Sequence, residues 1–297
     1  AEGGEMVSVV VRYTDSAGLR ETVESSDVSI QAAFSLGAVY VHARVDGAAC
    51  EIAAVGPDGV VGSSLATGTT VAGSVAFAGL VLIDGAALFS CSGGTYVVEA
   101  SGSVLGAPVS RAVVEVTGDA VFTVSPLTEI AVALAVQAGD LNQALAAFNA
   151  SVGVNFGISG DITEVSPTDV ASVALADDEA GNYATALALI SQLDANDAAA
   201  TAGDVIASFS EDLVDGILSQ ATIDAVNQAA IDLTLSPVGG NLNTNALTRV
   251  VDAINNVPEP ATFEGLAASI ANDETSPLTG TVVVNDVNFG EDRVVAQ

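Results

Sequence analysis

The chain has no lysine and no tryptophan, a single histidine (His42), a single methionine and two cysteines. Its positive charge comes from six arginines alone (Arg12, Arg20, Arg44, Arg111, Arg249 and Arg293). Against them stand 37 acidic residues, for a net charge of −31 over 297 residues. Each shortage excludes something. Without lysine there is no Schiff base, no phosphate-binding P-loop and no Lys–Asn isopeptide cross-link. Without a basic run the chain cannot neutralise a phosphate backbone or an anionic bilayer surface, so nucleic acid and membrane surfaces are not its partners. CxxC spacing and neighbouring histidines are missing, which removes zinc. Aromatic residues make up only 4%, too few for the sugar platforms of a glycosidase. The longest apolar runs, Ile130–Val136 and Gly79–Ile83, stop far short of the roughly 18 residues that a bilayer span needs, so no membrane insertion is expected.

Half of the residues are nevertheless hydrophobic, and the mean hydropathy is +0.53. Disordered acidic chains are not built that way, so this one folds, with length enough for about two domains. The first residue is Ala1, as in a secreted protein after signal removal, which predicts an extracellular or cell-surface location. Cys50 and Cys91 fall at strand-like positions in the β-patterned half. An exported chain would hold them as a disulfide worth about 4 kcal/mol through loop closure; in a reducing compartment they would be two free buried thiols.

Period-two alternation runs through the first 122 residues. Val7, Val9, Val11 and Tyr13 form one series, Val39, Val41, Ala43 and Val45 a second, and Val71, Gly73, Val75 and Phe77 a third. Turn signals separate them (Asp15-Ser16-Ala17-Gly18, Gly56-Pro57-Asp58-Gly59, Ser92-Gly93-Gly94), which predicts two stacked sheets. At Ser125 the texture changes. Ser125-Pro126-Leu127-Thr128-Glu129 has an N-cap serine, a proline at the first helical position and an acid in the first turn, and Ser166-Pro167-Thr168-Asp169 repeats that signal. Helical stripes follow: Leu127, Ile130, Ala131, Leu134 and Ala138; Tyr183, Leu187, Ile190 and Leu193; Ile206, Phe209, Leu213 and Ile217; Leu247, Val250, Val251 and Ile254; and a short last one, Phe263, Leu266 and Ile270. They read as the core of a bundle of five to seven helices. The last twenty residues turn β-branched again, Thr281-Val282-Val283-Val284 to Phe289. A strand there has no local partner for its backbone groups, so it joins either its own first sheets or the sheet of another copy.

Little points to catalysis. His42 alternates with Tyr40 and Arg44 on the face opposite the valines, and no GxSxG or Cys–His pattern accompanies it. No cofactor is expected. Calcium is the ion whose chemistry suits the acidic loops Asp177-Asp178-Glu179 and Asp194–Asp197, although neither matches the EF-hand pattern. The uncompensated charge predicts copies that repel one another at low ionic strength and associate only with salt or a divalent cation.

Four segments carry a resemblance: Phe89-Ser90-Cys91-Ser92-Gly93-Gly94-Thr95-Tyr96, Val124-Ser125-Pro126-Leu127-Thr128-Glu129-Ile130-Ala131, Asn182-Tyr183-Ala184-Thr185-Ala186-Leu187-Ala188-Leu189-Ile190-Ser191, and Asp212-Leu213-Val214-Asp215-Gly216. Residues 45–220 resemble large secreted or surface proteins of Gram-negative, often marine, bacteria. In these an immunoglobulin-like or carboxypeptidase-regulatory-like β-domain precedes a "V-T-P-L-T" helical segment; here Ser125 replaces the usual threonine and keeps the cap. The resemblance implies an exported, non-catalytic role. The resulting expectation is an α+β chain with an N-terminal immunoglobulin-like β-sandwich over 1–123, an α-helical bundle over 124–275 and a C-terminal β-strand, a possible donor, over 276–297. Its expected function is that of a structural subunit of an extracellular homopolymer, with Val282, Val284, Val287 and Phe289, or Val7, Val9 and Val11, completing a neighbour's sheet. The alternative is a monomeric adhesion module, stabilised by calcium.

Overall fold

In the computed structural model the described residues are 6–7, 10–14, 20–24, 28–29, 33–40, 44–81, 85–197, 201–216, 218–256, 262–264 and 283–285. They form a mixed α+β structure with several sheets followed by helices. The chain opens with nested antiparallel pairs. Strand β1 (Met6–Val7) pairs with β4 (Val28–Ser29), and between them β2 (Val10–Thr14) pairs with β3 (Arg20–Glu24).

Two larger sheets follow. They are built from β5 (Ala33–Tyr40), β6 (Ala49–Val55), β7 (Val61–Thr69), β8 (Ser74–Val81), β9 (Gly85–Ser92), β12 (Ser110–Val116) and β13 (Ala120–Val124), while β10 (Thr95–Val97) and β11 (Val104–Gly106) make a small separate pair. The four-stranded sheet has the order β12-β9-β6-β7, all antiparallel. The three-stranded sheet has the order β13-β5-β8, with β13 parallel to β5. One core joins them: Leu36, Ala38, Val75, Phe77, Phe122 and Val124 from the smaller sheet meet Cys50, Ile52, Phe89, Cys91, Ala112 and Val114 from the larger. Phe89 lies between Phe77 and Phe122, with ring centroids 5.9 and 6.0 Å away. Alternation explains the sidedness. Along β6, Cys50 and Ile52 face this core, while Ala49 and Glu51 face out.

The helices are α1 (Pro126–Ala138), α2 (Asn149–Asn155) after a π-helical turn at Ala144–Phe148, α3 (Glu179–Asn196), α4 (Ala202–Asp212), α5 (Gln220–Leu235) and α6 (Thr244–Asn255). Their shared core holds Leu127, Ile130, Val152, Tyr183, Ile206, Phe209, Val226, Val250 and Ile254. Helix α3 runs through its middle, and every residue from Gly181 to Gln192 is buried. A helix buried all round carries no single apolar stripe. Its alanines let α1, α4, α5 and α6 all approach.

The structure departs from the sequence reading at several points. Ser166-Pro167-Thr168-Asp169 starts no helix, because Asp169 turns its carboxylate onto Ala171 N and Ser172 Oγ and closes a turn instead. The third strand series is broken at Ala72-Gly73, where a turn separates Val71 from β8. On α1, Ala138 is exposed, whereas Val132 and Ala135 are buried against Val55 and Val113 on the outer face of the larger sheet. Phe263 belongs to a strand, β14 (Thr262–Glu264), rather than to a helix. It pairs antiparallel with β15 (Val283–Asn285), with Val283 opposite Glu264 and Val284 opposite Phe263. That gives the last strand a local partner. Leu266 and Ile270 lie outside the described residues, as does Ile217.

Cys50 and Cys91 face each other on β6 and β9 with Cα atoms 4.1 Å apart, and their sulfurs are at bonding distance. The bridge closes a loop of 41 residues within one sheet. Replacing both cysteines by alanine is expected to lower the unfolding free energy by about 4 kcal/mol. Denaturant titration of the oxidised protein and the double variant checks this, and equal midpoints would contradict it.

Candidate functional site

Two of the segments that stand out in the sequence, 124–131 and 182–191, meet where the sheets join the helices. Val124 ends β13 and Pro126 begins α1, so Ser125 alone separates strand from helix. Ser125 is extended (φ −152°, ψ 173°), and its Oγ accepts from Leu127 N at 3.1 Å and Thr128 N at 3.4 Å. Thr128 Oγ1 answers by accepting from Ser125 N at 2.8 Å, which completes a capping box. Ser125 Oγ also shares a 2.6 Å hydrogen bond with Tyr183 OH on α3, and both residues are fully buried. Burial pushes the Tyr183 phenol well above its ordinary range; the Ser125 hydrogen bond opposes this, and the charge of Asp161 adds to it. The phenol therefore stays neutral and acts as a fixed hydrogen-bonding group.

One turn further along α1, Glu129 takes a forked hydrogen bond from Arg111 of β12, with Nε 3.1 and 3.0 Å from the two oxygens and Nη2 2.6 Å from Oε1. These bonds raise the Arg111 pKa further, against the effect of burial. Beside them, Thr123 N and Oγ1 of β13 donate to the carbonyls of Thr163 and Val165, and Asn149 Nδ2 donates to Val113 O of β12. On α3, Asn182 donates to Gly157 O and accepts from Arg249 Nε, whose guanidinium pairs with Asp177. Gly181, one turn into α3, has to be glycine because a Cβ there would stand 2.1 Å from the Ala176 carbonyl. Ser125, Glu129, Asn182 and Tyr183 are thus consumed in structural contacts.

That arrangement is poor in chemistry. Ser125 Oγ is surrounded by two amides and a phenol, none of which can take its proton at neutral pH. Glu129 is held by Arg111. His42 lies outside the described residues. Among the described residues no group of three or more His, Cys, Asp or Glu side chains is placed to hold a metal ion. The acidic loops turn to protein donors instead. Asp177 meets Arg249 and Asn245, Asp178 caps α3 through Gly181 N, and Glu179 accepts from Ser159 N and Oγ.

A second cluster, unannounced in the sequence, ties the sheets to the loop before α3. Arg44, in the left-handed conformation (φ 53°), forms an ion pair with Asp169, with Nε 3.1 Å from Oδ2. Near Asp169 lies Glu99, 7% exposed, whose carboxyl is pushed up to about 8 by burial and then by the charge of Asp169. Glu99 sits in a turn directly after the apolar run Tyr96–Val98, and nothing local marks it as buried.

Of the residues expected at a subunit interface, Val7 lies in β1 opposite Val28, Val11 in β2 opposite Val23, and Val284 in β15 opposite Phe263. Val9, Val282, Val287 and Phe289 lie outside the described residues. The chain matches no family model, no curated protein sequence and no solved structure.

Two predictions follow from this geometry. Ser125→Ala removes the cap and strands the Tyr183 hydroxyl, so it should cost about 2–3 kcal/mol, whereas Tyr183→Phe keeps the cap and should cost about 1 kcal/mol. Equal losses in urea titrations would show that the cap contributes nothing. For Glu99 the folded chain keeps its proton up to about pH 8, while the unfolded chain loses it near 4.5. Its contribution to stability is complete below pH 4.5 and is lost as pH rises toward 8. Measured between pH 5 and 8, wild type should lose stability relative to Glu99→Gln; a difference that does not change with pH would refute this.

Proposed function

We propose that this chain is a non-catalytic structural subunit of an extracellular assembly (a filament, tubule or surface layer) whose copies are joined by β-strand addition. In this reading the seven strands of the two facing sheets are an immunoglobulin-like sandwich, the helices are a bundle fixed to it, and the chain is an exported relative of the surface proteins that its "V-S-P-L-T" segment resembles. The observation that carries the reading is the β14–β15 ribbon. Among the described residues it is three residue pairs long, and a two-stranded ribbon of that size is not stable by itself in water. Such a strand gains most by entering a larger sheet, whose edge offers it a full row of backbone partners. The spending of the motif residues on structural contacts supports a non-catalytic role, and the disulfide supports an oxidising compartment.

One observation favours a second reading, a monomeric adhesion module. Val283 pairs with Glu264 of its own chain, so the last strand does not need another copy to be paired.

Deleting residues 280–297 separates the two. For a strand-joined subunit, the full chain should form long particles in high salt by negative-stain imaging, and the truncated chain should elute as a folded single particle. Assemblies formed by the truncated chain would overturn addition of the C-terminal strand, and a full chain that remains single in all salt conditions would leave the adhesion module.

A further inference from the structure

The two sheets have four margins between them, and these are treated unequally. Helix α1 packs along β12, and the β12 carbonyl of Val113 accepts from Asn149. The margin of β13 is met by the loop at Thr163–Val165, through Thr123 N and Oγ1. The remaining two margins are β7 and β8, consecutive strands joined by the turn at Val71–Ser74. Strand β7 is open to solvent: Val61 through Leu65, Thr67 and Thr69 are all exposed, and Ala66 and Gly68 are half-buried.

Open edges in natural sheets are normally guarded by charge, proline or a bulge. Here Gly59–Ile83 contains no Asp, Glu, Arg or Pro, in a chain carrying 37 acids. The one guard is irregular pairing. The β6–β7 register shifts at Ile52/Ala53 and again at Ala53/Val55, which leaves Ala66–Thr69 in regular register with Ile52, Glu51, Cys50 and Ala49. At the Thr69 end an apolar groove of about 460 Å³ opens, lined by Gly37, Val39, Val71, Ala76 and Val121.

Copies at −31 repel one another wherever acids face acids, so close backbone pairing is confined to segments without charge. Ser276–Asn285 is such a segment. Its ten residues match the nine of β7 in length, and it holds β15. We infer that β7 is the acceptor edge, and that it takes Ser276–Asn285 of a second copy as the fifth strand of the β12-β9-β6-β7 sheet, with β-branched side chains of that strand entering the groove beside Thr69. The inference rests on the strand-joined reading above and adds the surface at which joining occurs.

The test uses the full chain in high salt. Hydrogen exchange of Val61–Thr69 amides should slow markedly on assembly. The exposed-face double variant Leu65→Glu/Thr67→Glu should remain a single particle, with a melting temperature within a few degrees of wild type. Wild-type assemblies whose Val61–Thr69 amides exchange as in the single particle, or assembly of the double variant at wild-type levels, would overturn this acceptor while leaving strand addition standing. Protection of β7 in assemblies of the chain lacking 280–297 would mean that β7 meets β7 of a second copy, and would overturn the donor assignment. A wild-type chain that never assembles overturns this acceptor and strand addition together. If the double variant melts far below wild type, the exchange measurement on wild type decides alone.

Discussion

A single residue between strand and helix governs how this molecule is put together. Because β13 ends at Val124 and α1 begins at Pro126, there is no linker to adjust; the direction in which α1 leaves the sheets is set by the extended backbone of Ser125 and by the capping box it forms. That direction lays α1 on the outer face of the larger sheet, where Val132 and Ala135 cover Val55 and Val113. With α1 fixed, Ser125 Oγ is presented to Tyr183, and α3 is held at the centre of the helical core. The order of dependence runs from a hydroxyl group to a helix and then to the packing around it.

The scarcity of cations sharpens this picture. Three of the six arginines have known acidic partners, and each pair spans elements far apart in the chain or on opposite sides of the joint: Arg44 with Asp169, Arg111 with Glu129, and Arg249 with Asp177. Exposed pairs add little stability in salt. The Arg111 pair differs, being forked and largely shielded, and losing either partner would leave a charge in a place from which water is mostly excluded. In a chain with so few positive groups, such contacts act mainly as positioning devices.

Much of the architecture was legible in the sequence because it rests on local rules. Alternation placed Val39 in β5 and Val75 and Phe77 in β8, the Ser-Pro-x-Thr-Glu pattern placed the start of α1 to the residue, and Gly139, in the left-handed conformation, ends that helix. The strand-like positions of Cys50 and Cys91 were legible, and the structure sets the two opposite each other on β6 and β9. What escaped was set by tertiary contact. The same serine–proline signal at residue 166 gave a turn, because Asp169 found nearer partners than a helix would offer. Phe263 has helical spacing to Leu266 but pairs with Val284 instead. Nothing local reveals that Tyr183 reaches Ser125 across 58 residues, or that Glu99 is buried. The absence of a lone strand's partner was argued from sequence neighbours, and β14 lay in a segment whose period pointed elsewhere.

The parallel pairing of β5 with β13 has a mechanical consequence. The chain enters the paired sheets along β5 and leaves them along β13 into the helices, and the two strands run side by side in the same direction from Leu36↔Ala120 to Tyr40↔Val124. A pull applied before β5 and after Val124 drags these neighbours past each other along their length. The five rungs then bear the load together instead of opening one at a time like a zipper. Tension transmitted through such a module would be resisted by the ladder as a unit.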